Sequence, residues 1–226
     1  MKKKIFQKII LSAFLMGVMF VGAVSANFVD MDVAVNTFTI GKIEIDLLEP
    51  GWEAPDDIVP EQEVEKDPYV ENTGEDDAFV FMEVIVPYAK VETANEDGTR
   101  NPAADTQLFT YEVNSGWVEA RPPQKDFRTK TVSYLYAYGT SEAMTVLAPG
   151  TSTNPVFDQV KFANVIEDES LEKTSYEILV NAYGIQVINV DDGKVVVDGD
   201  NADGKVSPTE VWTVVLSQDF NEKMDP

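Results

Sequence analysis

The sequence predicts a mainly β protein: a single β-sandwich of jelly-roll or Greek-key type with long loops and a short C-terminal helix. Three observations lead to this prediction. Short segments alternate apolar and polar residues with a period of two, turn-forming residues separate them, and no alternation of strands with long helical patterns is present. With 226 residues, 44% of them hydrophobic, the chain can bury one core without disulfides or a structural metal.

Residues 1–26 have the layout of a secretory signal peptide. Four lysines in the first eight residues precede an apolar stretch over residues 9–24, and small residues lead to a predicted cut between Ala26 and Asn27. An uncleaved membrane anchor is the alternative, since residues 9–26 are long enough to span a bilayer. Cleavage leaves residues 27–226 as the β-sandwich domain of a secreted protein. Before cleavage, the signal is the one segment expected to contact the membrane.

The first half of the domain contains three predicted strand regions. Residues 33–40 and 43–47 alternate in polarity, and residues 79–86 are apolar on both faces, as expected of a central strand. Residues 49–68 carry four prolines and many acids, which favours an irregular or edge segment. Residues 92–106 are polar and rich in turn signals, so we expect a loop there at the tip of the sheet.

The second half continues with short strands and ends in a helix. Further strands are predicted over residues 108–113, 117–118, 129–138, 156–165 and 176–190. Near the C-terminus, Ser207, Pro208 and Glu210 have the spacing of a capping box with proline at the first helical position. This pattern predicts a helix that starts after Ser207.

Charge and missing residue types exclude several functions. All four lysines of the signal are lost on cleavage while none of the 40 acids is, which leaves 13 of the 17 bases and a net charge of −27. Such a surface repels nucleic acid and anionic lipid, so we expect no nucleic-acid partner. The chain has no histidine and no cysteine, which removes imidazole bases, thiol nucleophiles and the usual zinc ligands. Acid pairs in polar turns are interpreted as solvated surface, and no enzymatic activity is expected.

Residues 199–210 nearly fit a 12-residue calcium loop. Oxygen ligands and the turn glycine occur at the required spacing, but Gly199 stands at the first ligand position and cannot coordinate a metal. An Asp/Gly-rich turn followed by a capping box explains the same residues. No cofactor is required, but calcium is possible, and the candidate ligands are Asp198, Asp200, Asn201, Asp203, Lys205 through its carbonyl, Ser207 and Glu210.

Four stretches resemble a known family. They are the signal junction at residues 26–32, residues 36–43, residues 48–52 with the letters LEPGW, and residues 58–80, which include VENTG. Together they are similar to the TasA and camelysin family of Gram-positive bacteria, whose best-known members form biofilm matrix fibres. The resemblance covers about residues 1–90 and continues more weakly over residues 176–186.

The resemblance implies a jelly-roll domain, cleavage by a SipW-type signal peptidase, and assembly of subunits outside the cell. Camelysin was described as a metallopeptidase, but this chain has no histidine and no zinc-binding helix motif, so that activity is not carried over. Asn27 replaces the tyrosine that the family has at the junction.

These observations predict a secreted structural subunit of extracellular, biofilm-matrix or cell-surface fibres. Residues 27–40 are the predicted donor strand, which would fill the open sheet edge of another copy or of a related subunit. Its apolar positions are Val33, Val35, Phe38 and Ile40. Two alternatives stay open: the strand closes its own domain, or the protein is a monomeric surface module that binds a ligand or calcium through its loops.

Overall fold

A computed structural model describes residues 37–40, 43–53, 55, 58–95, 97–166, 176–187, 206–213 and 216. These residues contain eleven strands and a short helix, α1, at residues 208–213. The strands are β1 (Thr37–Ile40), β2 (Ile45–Leu48), β3 (Glu63–Glu65), β4 (Tyr69–Asn72), β5 (Ala78–Ala94), β6 (Arg100–Gln107), β7 (Phe109–Thr110), β8 (Trp117–Asp126), β9 (Thr131–Tyr138), β10 (Gln159–Phe162) and β11 (Leu179–Gln186). The predicted fold class, a mainly β sandwich with a short helix near the C-terminus, is confirmed.

The strands form one large sheet and two small ones. The large sheet has the order β1-β11-β5-β9-β8, and β6 pairs with the second half of β5. Its pairs are antiparallel except for β1 and β11, which are parallel. The small sheets are β3-β10-β7 and β2-β4, and the sheets curl into a half-barrel.

Strand β5 lies at the centre of the molecule and is buried on both faces, as predicted. Val80, Met82 and Val84 point into the main core between the large and small sheets. Phe79 and Phe81 point to the opposite face, where they join a second, smaller core. Because the side chains of a strand alternate between faces, a run of apolar residues can serve two cores at once.

Helix α1 covers the second core. Val211 is fully buried there, and the Trp212 ring lies 5.1 Å from the Phe81 ring and 5.4 Å from the Tyr183 ring. The predicted capping box is formed: the Ser207 N–H donates to Glu210 Oε2 at 2.7 Å, and the Glu210 N–H donates to Ser207 Oγ at 3.4 Å. Among the described residues, no helix is long and apolar enough to cross a membrane.

The predicted loop at residues 92–106 is wrong in its extent. Strand β5 continues to Ala94 and β6 begins at Arg100, so only the turn between them is irregular. The Asn95 N–H donates to the Thr99 carbonyl across this turn, and Gly98 has a φ of 81°. Most of β6 is solvent-exposed, so backbone hydrogen bonds to β5 hold the strand in place. Because neither face of β6 is buried in a core, its sequence has no alternation of apolar and polar residues from which a strand could be predicted.

Candidate functional site: the two edges of the large sheet

The edge formed by β1 and β11 is short and incompletely paired. The four residues of β1 pair in parallel with Ala182–Ile185, whereas all eight residues of β11 pair with β5 on the other side. Within the described part of the chain, residues 179–181 of β11 therefore have no strand partner on the β1 side. Parallel pairs are also slightly less stable per residue than antiparallel ones. We call this edge the β11 edge.

The β11 edge rests directly on β2 and the residues before it. Ile43 and Ile45 are 1% and 3% exposed and pack across Gly184 of β11. A Cβ atom at position 184 would lie 2.8 Å from Ile43 Cδ1 and 3.0 Å from Ile45 Cδ1, closer than carbon atoms normally approach. Glycine at this position therefore lets β2 approach β11 and support it from the core side.

A buried ion pair holds the turn that follows β2. Lys66 Nζ lies 2.9 Å from each carboxylate oxygen of Glu49, and both side chains are almost completely buried. The Trp52 ring centroid is 4.8 Å from the same ammonium group. Burial lowers the pKa of Lys66, and the Glu49 carboxylate opposes this shift. Removing either partner would leave an unpaired buried charge, so the pair locks the turn into place.

The opposite edge, formed by β8, has features that block further strand pairing. Two consecutive prolines, Pro122 and Pro123, lie inside β8 and provide no N–H groups. The register with β9 shifts between Glu119 and Arg121, and again between Arg121 and Gln124. Residues 122–126 are exposed. Prolines, charges and irregular register are the usual means by which natural sheets protect an edge.

A polar network on the outer face joins the two edges. One Glu83 oxygen accepts a hydrogen bond from Arg121 Nη2 at 2.8 Å. Its other oxygen accepts from the Tyr183 hydroxyl at 3.0 Å and from the Asn181 amide at 3.4 Å. Arg121 also donates to Ser133 Oγ at 2.9 Å. Since these residues belong to β5, β8, β9 and β11, the network fixes the relative positions of four strands.

The predicted donor-strand residues lie only partly within the described chain. Phe38 and Ile40 belong to β1, which pairs with β11 of its own chain. Val33 and Val35 lie outside the described residues, as do Ala26 and Asn27 of the predicted cleavage site. The pairing within one chain matches the alternative in which the strand closes its own domain, and donation to another copy stays a prediction.

The calcium prediction also concerns mostly undescribed residues. Asp198, Asp200, Asn201, Asp203 and Lys205 lie outside the described part of the chain. Ser207 and Glu210 are described, and they bond to each other in the capping box. A calcium ion would therefore compete with the Ser207 N–H for the Glu210 carboxylate, which favours weak binding. Comparing melting curves in millimolar calcium and in chelator tests this prediction.

Several features of the two edges were missed by sequence reasoning. The close approach at Gly184, the buried Lys66–Glu49 pair and the Glu83 network all join residues far apart in the chain. The Pro122-Pro123 pair was the one signal in the sequence that could have marked β8 as an edge strand.

The described residues contain no cluster of three or more Asp or Glu side chains placed to hold a metal ion. In comparisons with known proteins, no family model, no curated protein and no solved structure matches the chain.

Proposed function

We propose that the protein is a secreted structural subunit of extracellular or cell-surface fibres, and that it assembles by donating its N-terminal strand to a neighbouring copy or a related subunit. The observation that carries the proposal is the difference between the two edges of the large sheet. The β8 edge is blocked by prolines and register shifts. In the described part of the chain, the β11 edge is covered by four residues close to the start of the predicted mature chain.

Strand exchange at the β11 edge has a physical driving force. Strand β1 covers four of the eight β11 residues that pair with β5, so a donated strand can add further backbone hydrogen bonds. Residues 27–40 span about 45 Å when extended, and the β11 edge is about 27 Å long at roughly 3.3 Å per residue. The predicted donor segment is therefore long enough to cover the edge and still leave a linker between two subunits.

Composition and family resemblance support the same function. The predicted signal peptide supports a location outside the cell, and the absence of histidine and cysteine is compatible with a non-catalytic role. The TasA and camelysin family, which residues 1–90 resemble, includes fibre-forming proteins. The described residues add a domain with one incompletely paired and one protected edge, an arrangement compatible with a polymer built by strand donation.

The test compares protein that begins at residue 27 with protein that begins at residue 37. Both should fold with similar melting temperatures, but only the longer form should give filaments in electron microscopy. A matched control keeps the full length and carries Val33→Asp with Val35→Asp, which should also prevent filaments. A synthetic peptide of residues 27–40 should occupy the β11 edge and stop filament growth. If the shorter protein polymerises as well as the longer one, donation from this end is wrong.

A further inference from the structure

The part of the large sheet made of β11, the first half of β5, β9 and β8 carries opposite charge at its two ends. At one end, Ala78 of β5 pairs with Gln186 of β11 and bridges to Leu147. At the other, Pro87 pairs with Thr131, next to the turn of the β8–β9 hairpin. The first half of β5 separates these ends by about 30 Å at ~3.4 Å per residue. We call them the acidic end and the hairpin end.

The hairpin end concentrates the few positive charges of the domain. Four of the eight lysine and arginine residues in the described chain lie between positions 121 and 130, where Asp126 is the single acid. They are Arg121, Lys125, Arg128 and Lys130. Arg121 and Lys125 form ion pairs with Glu83 and Asp105. Arg128 and Lys130 are exposed and form no salt bridge with a described carboxylate.

The hairpin turn also presents an exposed aromatic ring. Phe127 is 75% exposed, the highest value among the exposed large hydrophobic residues of the described chain. Asp126 orders the turn, since its carboxylate accepts the N–H groups of Arg128 at 2.7 Å and Thr129 at 3.3 Å. These hydrogen bonds lower the pKa of Asp126. Aromatic and arginine side chains are the ones that most often anchor protein interfaces, and this ordered turn presents Phe127 next to Arg128.

The acidic end has the complementary composition. The turn before β5 carries Glu75, Asp76 and Asp77, and the Glu44 carbonyl accepts hydrogen bonds from the same turn. Glu142 follows the end of β9 on this side, and none of the eight described bases lies here. Val146 is 45% exposed beside the Ala78–Leu147 bridge, so an apolar side chain is available among the carboxylates.

We propose that the β8–β9 hairpin of one copy docks on the acidic end of a second copy, with Phe127 against Val146 and with Arg128 and Lys130 facing Glu75 and Asp77. Opposite charges at opposite ends produce a head-to-tail contact, which forms open filaments unless its rotation closes a ring. In a chain with a net charge of −27 after cleavage, the contact also places the exposed cations Arg128 and Lys130 against acids that would otherwise repel the neighbour.

The contact agrees in direction with the proposed strand donation, on which this step rests. Residue 44 lies at the acidic end of its subunit, and β11 begins at Leu179, opposite Ile85 near the hairpin end. A donor strand leaving the acidic end would enter its neighbour at the hairpin end and run antiparallel to β11. Within one chain, β1 is parallel to β11. Donation would thus replace a parallel pair with the more stable antiparallel arrangement.

Cysteine cross-linking tests the contact directly, because the chain contains no cysteine. Protein beginning at residue 27 is prepared as Phe127→Cys and, separately, as Val146→Cys. After oxidation, the mixture should give disulfide-linked dimers that contain one copy of each variant. Val59→Cys, at another exposed position, is the matched control and should give few dimers with either. Equal cross-linking by the control, or dimers formed mainly between two Phe127→Cys copies, would overturn the proposal.

A charge swap supplies the second test. Arg128→Glu with Lys130→Glu should raise the protein concentration needed for assembly by about tenfold or more. Glu75→Lys with Asp77→Lys should do the same, and mixing the two variants should restore association. Lys90→Glu with Arg100→Glu changes the net charge equally outside the hairpin and should have a smaller effect. The proposal is wrong if mixing the two variants does not restore association. It is also wrong if the hairpin variant assembles normally and differs from the unmodified protein only in weaker binding to vesicles of anionic lipid.

Protein beginning at residue 37 separates this contact from strand donation. At the protein concentration at which the longer form gives filaments, it should give none, because the contact then acts without strand donation. At higher concentration it should still give the Phe127–Val146 cross-link. Filaments of the longer protein without this cross-link would overturn the contact and leave strand donation intact. The cross-link in both lengths, together with equal polymerisation of both, would overturn strand donation and leave the contact.

Discussion

The two outer strands of the large sheet, β8 and β1, each lie at an edge where another chain could pair, and they differ in how well that edge is protected. Strand β8 is long and antiparallel, yet it contains two prolines, and its register with β9 shifts twice. Strand β1 has four residues in parallel pairing and leaves part of β11 without a strand partner in the described chain. Unpaired strand edges invite association with other chains. The difference supports the proposal that other copies associate at the β11 edge and not at the β8 edge.

The supports of the two edges differ as well. The β11 edge rests on β2, whose position depends on Gly184 and on the buried Lys66–Glu49 pair. The β8 edge is tied to the sheet by the half-buried Arg121–Glu83 pair on the outer face. Substitutions at these positions should separate the contribution of each support.

The largest effect is expected from Lys66→Ala. It leaves the Glu49 carboxylate buried without its partner, which costs about 3–5 kcal/mol of unfolding free energy. For a domain of this size, the melting temperature should fall by about 10 °C. Lys161→Ala is the matched control, since its ion pair with Glu61 is largely exposed and should contribute less than about 1 kcal/mol. Similar melting temperatures for the two variants would contradict the role of the buried pair.

A smaller effect is expected from Gly184→Val. The added side chain overlaps the ends of Ile43 and Ile45, so β2 must shift away from β11 at a cost of about 1–3 kcal/mol. Gly184→Ala should cost less, because the terminal atoms of these isoleucines can move. Denaturant unfolding measures the series. An equal or larger loss for alanine would show that close packing on β2 does not explain the glycine.

The β8 support is tested by Arg121→Ala. The variant removes charge-assisted hydrogen bonds to Glu83 and Ser133, and we expect a loss of about 1.5 kcal/mol. Arg128→Ala, in the exposed turn of the same hairpin, should change the unfolding free energy by less than about 0.5 kcal/mol. If both arginines have the same effect on unfolding, the network does not anchor the β8 edge.

The smallest effect on stability, but a qualitative effect on association, is expected when the prolines of β8 are replaced. Pro122→Thr with Pro123→Thr should change the unfolding free energy by less than about 0.5 kcal/mol, because both residues are exposed. The variant restores two backbone donors and should aggregate laterally at high protein concentration, as light scattering will show. Threonine at Pro102 of exposed strand β6 is a control with one restored donor. Unchanged solubility of the double variant would mean that register shifts alone protect this edge.

Local patterns in the sequence predicted much of the fold correctly. The apolar run at residues 79–86 became the doubly buried half of β5, and the Ser207–Glu210 spacing became a formed capping box. Both depend on neighbours in the chain, either through the alternation of a strand or through hydrogen bonds within one helical turn. The prediction of a loop at residues 92–106 failed at β6, a polar and exposed strand that is held by its pairing with β5.

The sequence by itself therefore determined the fold class, the central strand, the helix start and the segment predicted to assemble. Tertiary structure alone decided that Lys66 would be paired with Glu49, that Gly184 would face two isoleucines, and that Phe127 would lie at the end of the sheet opposite Val146. Strand alternation and helix caps arise from residues a few positions apart. Edges, buried ion pairs and charge polarity arise from strand order, which joins residues from 17 to more than a hundred positions apart and leaves no local pattern.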